Sequence, residues 1–290
     1  MYNNFMDYYT EIMAIILAFF VGAGFGSFAC CQAWRLHFKE KGKKSPGKWS
    51  VCLSCNKRLK FSENIPIFSW LFQRGRCKKC GAKIGLAEIF SELSLGSAFA
   101  ALCAFLWPEF VTAIHNPDPW YLLLLIGMTL MLLISIIVMW ILLVYDAKWQ
   151  KLPTLLLTIL NACAIIYAIL RLVGLILGAN TPVLITNYLT NLALGALILG
   201  GLYYMLSTVS RGKLVGSGDW LVALPIALIL GHWWLAIITL LISNLLGSFF
   251  GIFARLKNGA RQIPFGPFLV IAFVITYACQ NWLLTFISAL

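Results

Sequence analysis

At 290 residues, with 61% hydrophobic and only 11% charged side chains, the chain has more apolar surface than one water-soluble core uses, which excludes an ordinary soluble domain. The net charge of +12 would suit nucleic acid if it covered one face, yet most of the 22 Lys and Arg crowd between Arg35 and Lys83. That distribution reads as membrane topology, and no nucleic-acid partner is expected.

Apolar runs near or above the ~20 residues that cross a bilayer recur from end to end. In chain order they are Glu11–Trp34, Ala87–Trp107, Tyr121–Tyr145, Leu152–Leu177, Ile185–Ser207, the short Trp220–Leu230, Trp233–Phe253 and Pro264–Ile287. Lipid offers no hydrogen bonds to an open backbone, and none of these runs alternates like a strand. The expected fold is therefore an all-α polytopic membrane protein of about eight transmembrane helices. The opening MYNNFMDYYTEIM lacks the basic start of a cleaved signal peptide, so residues 1–36 read as a retained first helix.

Residues 37–86 form the one extended polar stretch, and residues 87–290 read as the membrane bundle. HFKEKGKKSPGKW has no apolar period. Behind it, Cys52 and Cys55 make one C-x2-C pair, and Cys77 and Cys80 make another. Four thiolates so spaced suit a closed, structural zinc site, and a soluble unit this small needs such a staple. Two disulfides are the alternative, disfavoured if the loop faces a reducing compartment. Cys30, Cys31, Cys103, Cys163 and Cys279 fall in apolar runs and read as small buried hydrophobes.

Further along, Lys148 and Lys151 follow the third run, Arg211 and Lys213 the fifth, and Arg255, Lys257 and Arg261 the seventh. The loops after the second, fourth and sixth runs carry no Lys or Arg. This alternation predicts both termini outside, with the basic loop and the loop around Asp219 in the cytoplasm. Asp146 ends the third run and Asp219 opens the sixth, so both acids fall at that same face. A membrane-edge pair of carboxylates suits peptide hydrolysis, one activating water while the other, protonated, polarises the scissile carbonyl. Capping is the competing account. It fits Asp219 behind Gly216 and Gly218 well, and fits Asp146, at a helix C-terminus, less well.

Several stretches together carry a resemblance. GSFACCQAWRL at Gly26–Leu36, the two cysteine pairs with IPIFSWLFQRGRCKKCGAKIG, SEL at Ser91–Leu93, Asp146 with Pro153 downstream, GSGD at Gly216–Asp219 and IPFGPFL at Ile263–Leu269 occur in order. The chain thereby resembles the type IV prepilin leader peptidases, GxGD-type membrane aspartic proteases. The resemblance implies Asp146 and Asp219 as catalytic dyad, and cleavage of a basic leader from prepilin or pseudopilin precursors. Cleavage would fall at the cytoplasmic face of a bacterial inner membrane, typically after glycine. Gly216, Ser217 and Gly218 become candidates for substrate contact, the glycines through close backbone approach and unusual φ/ψ. Many family members also methylate the new N-terminus with S-adenosylmethionine, for which Glu92 is the candidate residue. Lys213 and Trp220-Leu221-Val222 depart from the family pattern around the second acid. The rival classes are a non-catalytic scaffold of a pilus or secretion apparatus and a proton-coupled transporter.

Overall fold

A computed structural model describes residues 2–42, 49–115, 118–178, 181–211, 216–258 and 264–288. Lys213, Ile263 and much of the GKKSPGK stretch lie outside the described residues. Among those described there is no strand, only the isolated antiparallel bridges Val51–Arg58 and Arg76–Lys83. The rest is helix: α1 (Tyr2–Glu40), α2 (Phe68–Phe72), α3 (Leu86–His115), α4 (Pro119–Trp149), α5 (Thr154–Gly178), α6 (Pro182–Gly195), α7 (Leu202–Val209), α8 (Asp219–Leu230), α9 (Trp233–Asn258), α10 (Gly266–Ala278) and α11 (Gln280–Ser288).

Six of the predicted apolar runs form helices long and apolar enough to cross a bilayer, α6 and α7 being joined into one by a π-helical turn at Ala196–Gly201. The last run is broken, because α10 and α11 meet at 67°. The sixth run, short in sequence, is α8; its 12 residues give a rod of ~18 Å against a hydrocarbon layer of ~30 Å. The chain is a multi-pass membrane protein.

It divides into two units, Met1–Pro108 and Glu109–Leu290. In the first, α1 and α3 meet backbone to backbone. Gly22 and Gly26, one helical turn apart, face α3; a Cβ on Gly26 would lie 2.5 Å from the Ser91 carbonyl oxygen and 2.7 Å from the Glu92 Cα. This is the small-x3-small logic of membrane helix pairs, in which close van der Waals packing replaces a hydrophobic drive. The Ser91 hydroxyl donates to the Gly26 carbonyl across the contact, at 3.0 Å.

In the second unit α8 is the hub, packed against α5, α6, α7, α9, α10 and the π turn. Val222, Ala223, Pro225, Ile226, Ala227, Ile229 and Leu230 are all buried. A helix apolar all round belongs in a core, and protein on every side removes the need to be bilayer-length. It ends at Gly231, in left-handed conformation (φ 64°), where the Arg171 guanidinium also lies; a Cβ there would come within 2.8 Å of Arg171 Nη1. The same guanidinium sits over the Tyr188 ring. Arg171, within α5, is thus found at the negative end of the core helix.

Candidate active site and metal centre

Asp146 lies in the last turn of α4, which closes on Gln150 in left-handed conformation (φ 51°), whose N–H donates to the Asp146 carbonyl at 2.8 Å. The ring of Trp149 packs on that of fully buried Tyr145 at 4.7 Å between centroids and fixes this turn. Asp219 is the first residue of α8. The two residues are only 6% and 5% exposed, so neither is a solvated surface acid. Asp146 stands near the end of α4 and Asp219 at the start of α8, and Leu152, just past α4, lies against Gly218, so the segments that carry the two acids adjoin.

Each acid has one oxygen fixed by a glycine backbone N–H. Gly266 donates to Asp146 Oδ2 at 3.0 Å, and Gly216 donates to Asp219 Oδ2 at 2.8 Å. Gly266 opens α10, so its N–H is one of the donors a helix start leaves without an internal partner. In both cases a side chain on the donor would crowd the acid, more tightly at Gly266 than at Gly216. A Cβ would stand 2.8 Å from Asp146 Oδ2 at position 266, and 3.0 Å from Asp219 Oδ2 at position 216. Among the described residues, no hydrogen bond occupies Oδ1 of either acid. One oxygen of each carboxylate is oriented, and the other is available to water or substrate.

Two expectations change in detail. Asp219 does not cap α8: the N-cap position is Gly218, and the Asp219 carboxylate turns back to Gly216. Gly218 does not adopt an unusual φ either, since φ is −99°. Its reason is space, because a Cβ would come within 2.9 Å of Leu152 Cδ1. Leu152 lies between α4 and α5, so Gly218 lets the loop of the second acid close on the chain that follows the first. Gly216 and Ser217 are exposed beside buried Asp219. Trp220 sets its ring edge-on to Tyr204 at 5.2 Å.

Other contributors escaped the motif reading. Asn161 of α5 donates to the Leu221 carbonyl at 2.8 Å and ties down the first turn of α8. Tyr203, buried, bonds Ser243 and Asn244 of α9 through its hydroxyl, and its ring packs on Phe265 at 5.4 Å. Phe265 in turn fills the space left by Gly247 of α9, where a Cβ would be 2.9 Å from the ring. This packing holds the residue next to the Gly266 donor. The signal was present as adjacent Ser243 and Asn244 in an apolar run, since polar residues inside a span need a reason.

Glu92 belongs to the Met1–Pro108 unit. It is buried, and its Oε2 accepts the Ile67 N–H at 2.6 Å.

Cys52, Cys55, Cys77 and Cys80 converge, with all four Sγ atoms within 4.8 Å of one another and no disulfide between them. Two matching knuckles make the cluster. The Asn56 N–H bonds the Cys52 carbonyl and the Cys52 N–H bonds the Lys57 carbonyl; Gly81 with Cys77, and Cys77 with Ala82, repeat both bonds, each at 2.9 Å. Asn56 (φ 52°) and Gly81 (φ 68°) supply the left-handed turn in each copy. Backbone N–H groups of Cys80 and Lys79 point at the Cys77 sulfur and hold its thiol low, at about 6. Cys52 and Cys80 are 3.8 Å apart, and four sulfurs at ~2.3 Å from one tetrahedral ion would be separated by ~3.8 Å. The donor set and its spread fit a thiophilic metal ion held in a closed site.

The model of the Bacterial Peptidase A24 N-terminal domain matches residues 20–106. A curated protein of Dichelobacter nodosus, a prepilin leader peptidase/N-methyltransferase, is 30% identical over 232 residues, covering 79% of this chain and 70% of its own. A Pseudomonas aeruginosa protein of the same name is 32% identical over 234 residues, with 77% and 69% covered. An Escherichia coli type 4 prepilin-like proteins leader peptide-processing enzyme is 26% identical over 231 residues, with 80% and 76% covered. No solved structure matches.

Proposed function

Because the chain belongs to the prepilin leader peptidase/N-methyltransferase family, we propose that it is a membrane aspartic endopeptidase that removes the leader of type IV prepilin-like precursors, with Asp146 and Asp219 as its catalytic dyad. The observation that carries this reading is the pair of buried carboxylates, each with one oxygen pinned by a glycine N–H, on segments that meet where Leu152 packs against Gly218.

One carboxylate takes a proton from water as the water attacks the scissile carbonyl carbon. The other, protonated, donates to the carbonyl oxygen to give a tetrahedral gem-diol; on collapse it takes that proton back, while the first acid passes the proton it took from water to the leaving amine. Pinning Oδ2 on both sides leaves the Oδ1 atoms to share water and substrate, and it orients them before substrate arrives. Gly216 and Ser217, exposed beside Asp219, offer the main chain on which the segment around the scissile bond can lie. A site at the ends of α4 and α8 suits a substrate whose apolar helix stays in lipid while its leader lies in water. The alternation of basic loops with loops that hold no Lys or Arg supports a cytoplasmic site in a bacterial inner membrane.

Zinc is the ion proposed for the four cysteines, where it would hold the two knuckles together with no open position for chemistry. The second activity in the relatives' name would methylate the new terminal amine from S-adenosylmethionine. Glu92 is its candidate by resemblance, and one of its oxygens is held by the Ile67 N–H.

The test is cleavage of a co-reconstituted prepilin by the wild-type chain, Asp146→Asn and Asp219→Asn. Both variants should fall to background while keeping the wild-type melting profile; wild-type rate in either one ends the dyad assignment.

A further inference from the structure

The segment between the two cysteine knuckles does not sit where a cytoplasmic loop should. Phe68 of α2 stacks on Phe20 of α1, with ring centroids 6.2 Å apart and planes inclined by 20°. Phe20 lies inside the first span, in a stretch from Ile12 to Ala29 that holds no charged residue. At about 1.5 Å per residue, ~21 Å of helix separates it from Trp34, where the apolar run ends. On the other side, the Ile67 N–H reaches the Glu92 carboxylate at 2.6 Å, and Glu92 is ~9 Å along α3 from its start at Leu86. Both anchors lie along the apolar lengths of the two helices rather than beyond their ends.

The turn that makes this approach is strained and deliberately held. Ile67 has φ 65° and ψ −56°, and the Phe68 N–H bonds the Pro66 carbonyl at 2.7 Å, which together make a γ-turn of the rare, positive-φ kind. A β-branched residue occupies that region only when its surroundings compel it. Here the buried Glu92 carboxylate takes the N–H of the strained residue.

The side chains beyond the anchors are apolar and uncovered. Phe61 is 89% exposed and Phe72 82%, with Ile65, Phe68 and Leu71 also exposed alongside them. Exposed Lys60, Arg74 and Arg76 flank them in sequence. The one acid of the segment, Glu63, is buried and paired with Lys57 at 2.7 Å. In water such a face would be an aggregation hazard. Next to a membrane helix it continues the lipid-facing surface.

We propose that Phe61–Phe72 is a membrane-inserted wedge, with Phe61, Phe68, Leu71 and Phe72 among the acyl chains beside α1 and α3. The zinc-site knuckles are thereby anchored to the bilayer through the segment they bracket. The inference stands on the packing within Met1–Pro108 and does not depend on the dyad.

The test places a photoreactive benzoylphenylalanine at position 61 or 72 of the full chain, in vesicles of phosphatidylethanolamine and phosphatidylglycerol, with Ser54 substituted in the same way as control. Irradiation should give phospholipid adducts at 61 and 72, and adduct yields at 54 about tenfold lower. Adducts to a second copy of the chain, adducts to an added prepilin, or an absence of lipid adducts at both positions would overturn the wedge. Hydroxyl-radical footprinting of the unmodified chain in the same vesicles covers any variant that fails to fold. Phe61 and Phe72 should oxidise about fivefold more slowly than their bare exposure implies, with Trp49 as the water-exposed reference; full oxidation of both would refute the proposal.

Discussion

Replacing Gly266 by alanine tests whether the Asp146 carboxylate owes its orientation to a single backbone donor. The new Cβ would stand 2.8 Å from Asp146 Oδ2 and 3.5 Å from its Cγ, inside contact distance of a group that cannot retreat without losing its 3.0 Å hydrogen bond. On the other side, Phe265 is wedged by Gly247 and by Tyr203, so the loop has little freedom to give way instead. A hydrogen bond to a charged group is worth about 1.5–3 kcal/mol. At tenfold per ~1.4 kcal/mol, its loss in the transition state lowers kcat by about 10- to 100-fold. The assay is steady-state prepilin cleavage in proteoliposomes, with kcat and KM separated, alongside a thermal melt. The expected pattern is a fall in kcat with little change in KM. Gly174→Ala is the matched control, since its new Cβ would meet nothing nearer than Leu124 Cδ1 at 4.0 Å. Equal kcat in the two variants would refute the reasoning, as would a loss in Gly266→Ala explained wholly by unfolding.

Other substitutions probe separate parts of the structure. Gly26→Val should force α1 off α3, because even a Cβ would sit 2.5 Å from the Ser91 carbonyl; overpacking of this kind costs about 1–3 kcal/mol or more, read as a lower melting temperature. Cys77→Ser should abolish stoichiometric zinc, measured by metal analysis of the purified chain, and should make the knuckle region protease-sensitive without altering the Asp146–Asp219 pair. Gly231→Ala combines a positive φ with a Cβ 2.8 Å from Arg171 Nη1, so it should destabilise by at least ~1 kcal/mol in a denaturation measurement, whereas Gly174→Ala should not.

The parts legible in the sequence are those that chemistry writes locally. Two C-x2-C pairs announce a four-sulfur cluster, and a run of apolar residues announces a span, because each is a statement about neighbours along the chain. Asp146 and Asp219 read as a pair because charge alternation puts them at one face and because the GSGD and Asp146–Pro153 stretches resemble a known dyad. Gly266 is not readable as the partner of Asp146, since its N–H meets a carboxylate 120 residues earlier and a backbone donor leaves no side chain to notice. Gly218 illustrates the reverse error. A glycine ahead of an acid invites a conformational explanation, while the crowding by Leu152 that accounts for it is visible only after folding. The polar stretch at residues 37–86 misleads for a similar reason. Its average composition is that of a loop, and the apolar segment within it declares its depth only through Phe20 and Glu92.

The use of main-chain donors for both carboxylates has a consequence for how this site tolerates change. No substitution except proline deletes a backbone N–H, so the chemistry of positions 216 and 266 carries no information for the acids, and only the size of the residue does. Tolerance there should follow volume, with serine and alanine harmed least, larger residues harmed progressively, and polarity almost irrelevant. At Asp146 and Asp219 the ranking should invert: asparagine, nearly identical in shape, should be as damaging as any change. A saturation screen across these four positions would separate residues selected for what they lack from residues selected for what they carry.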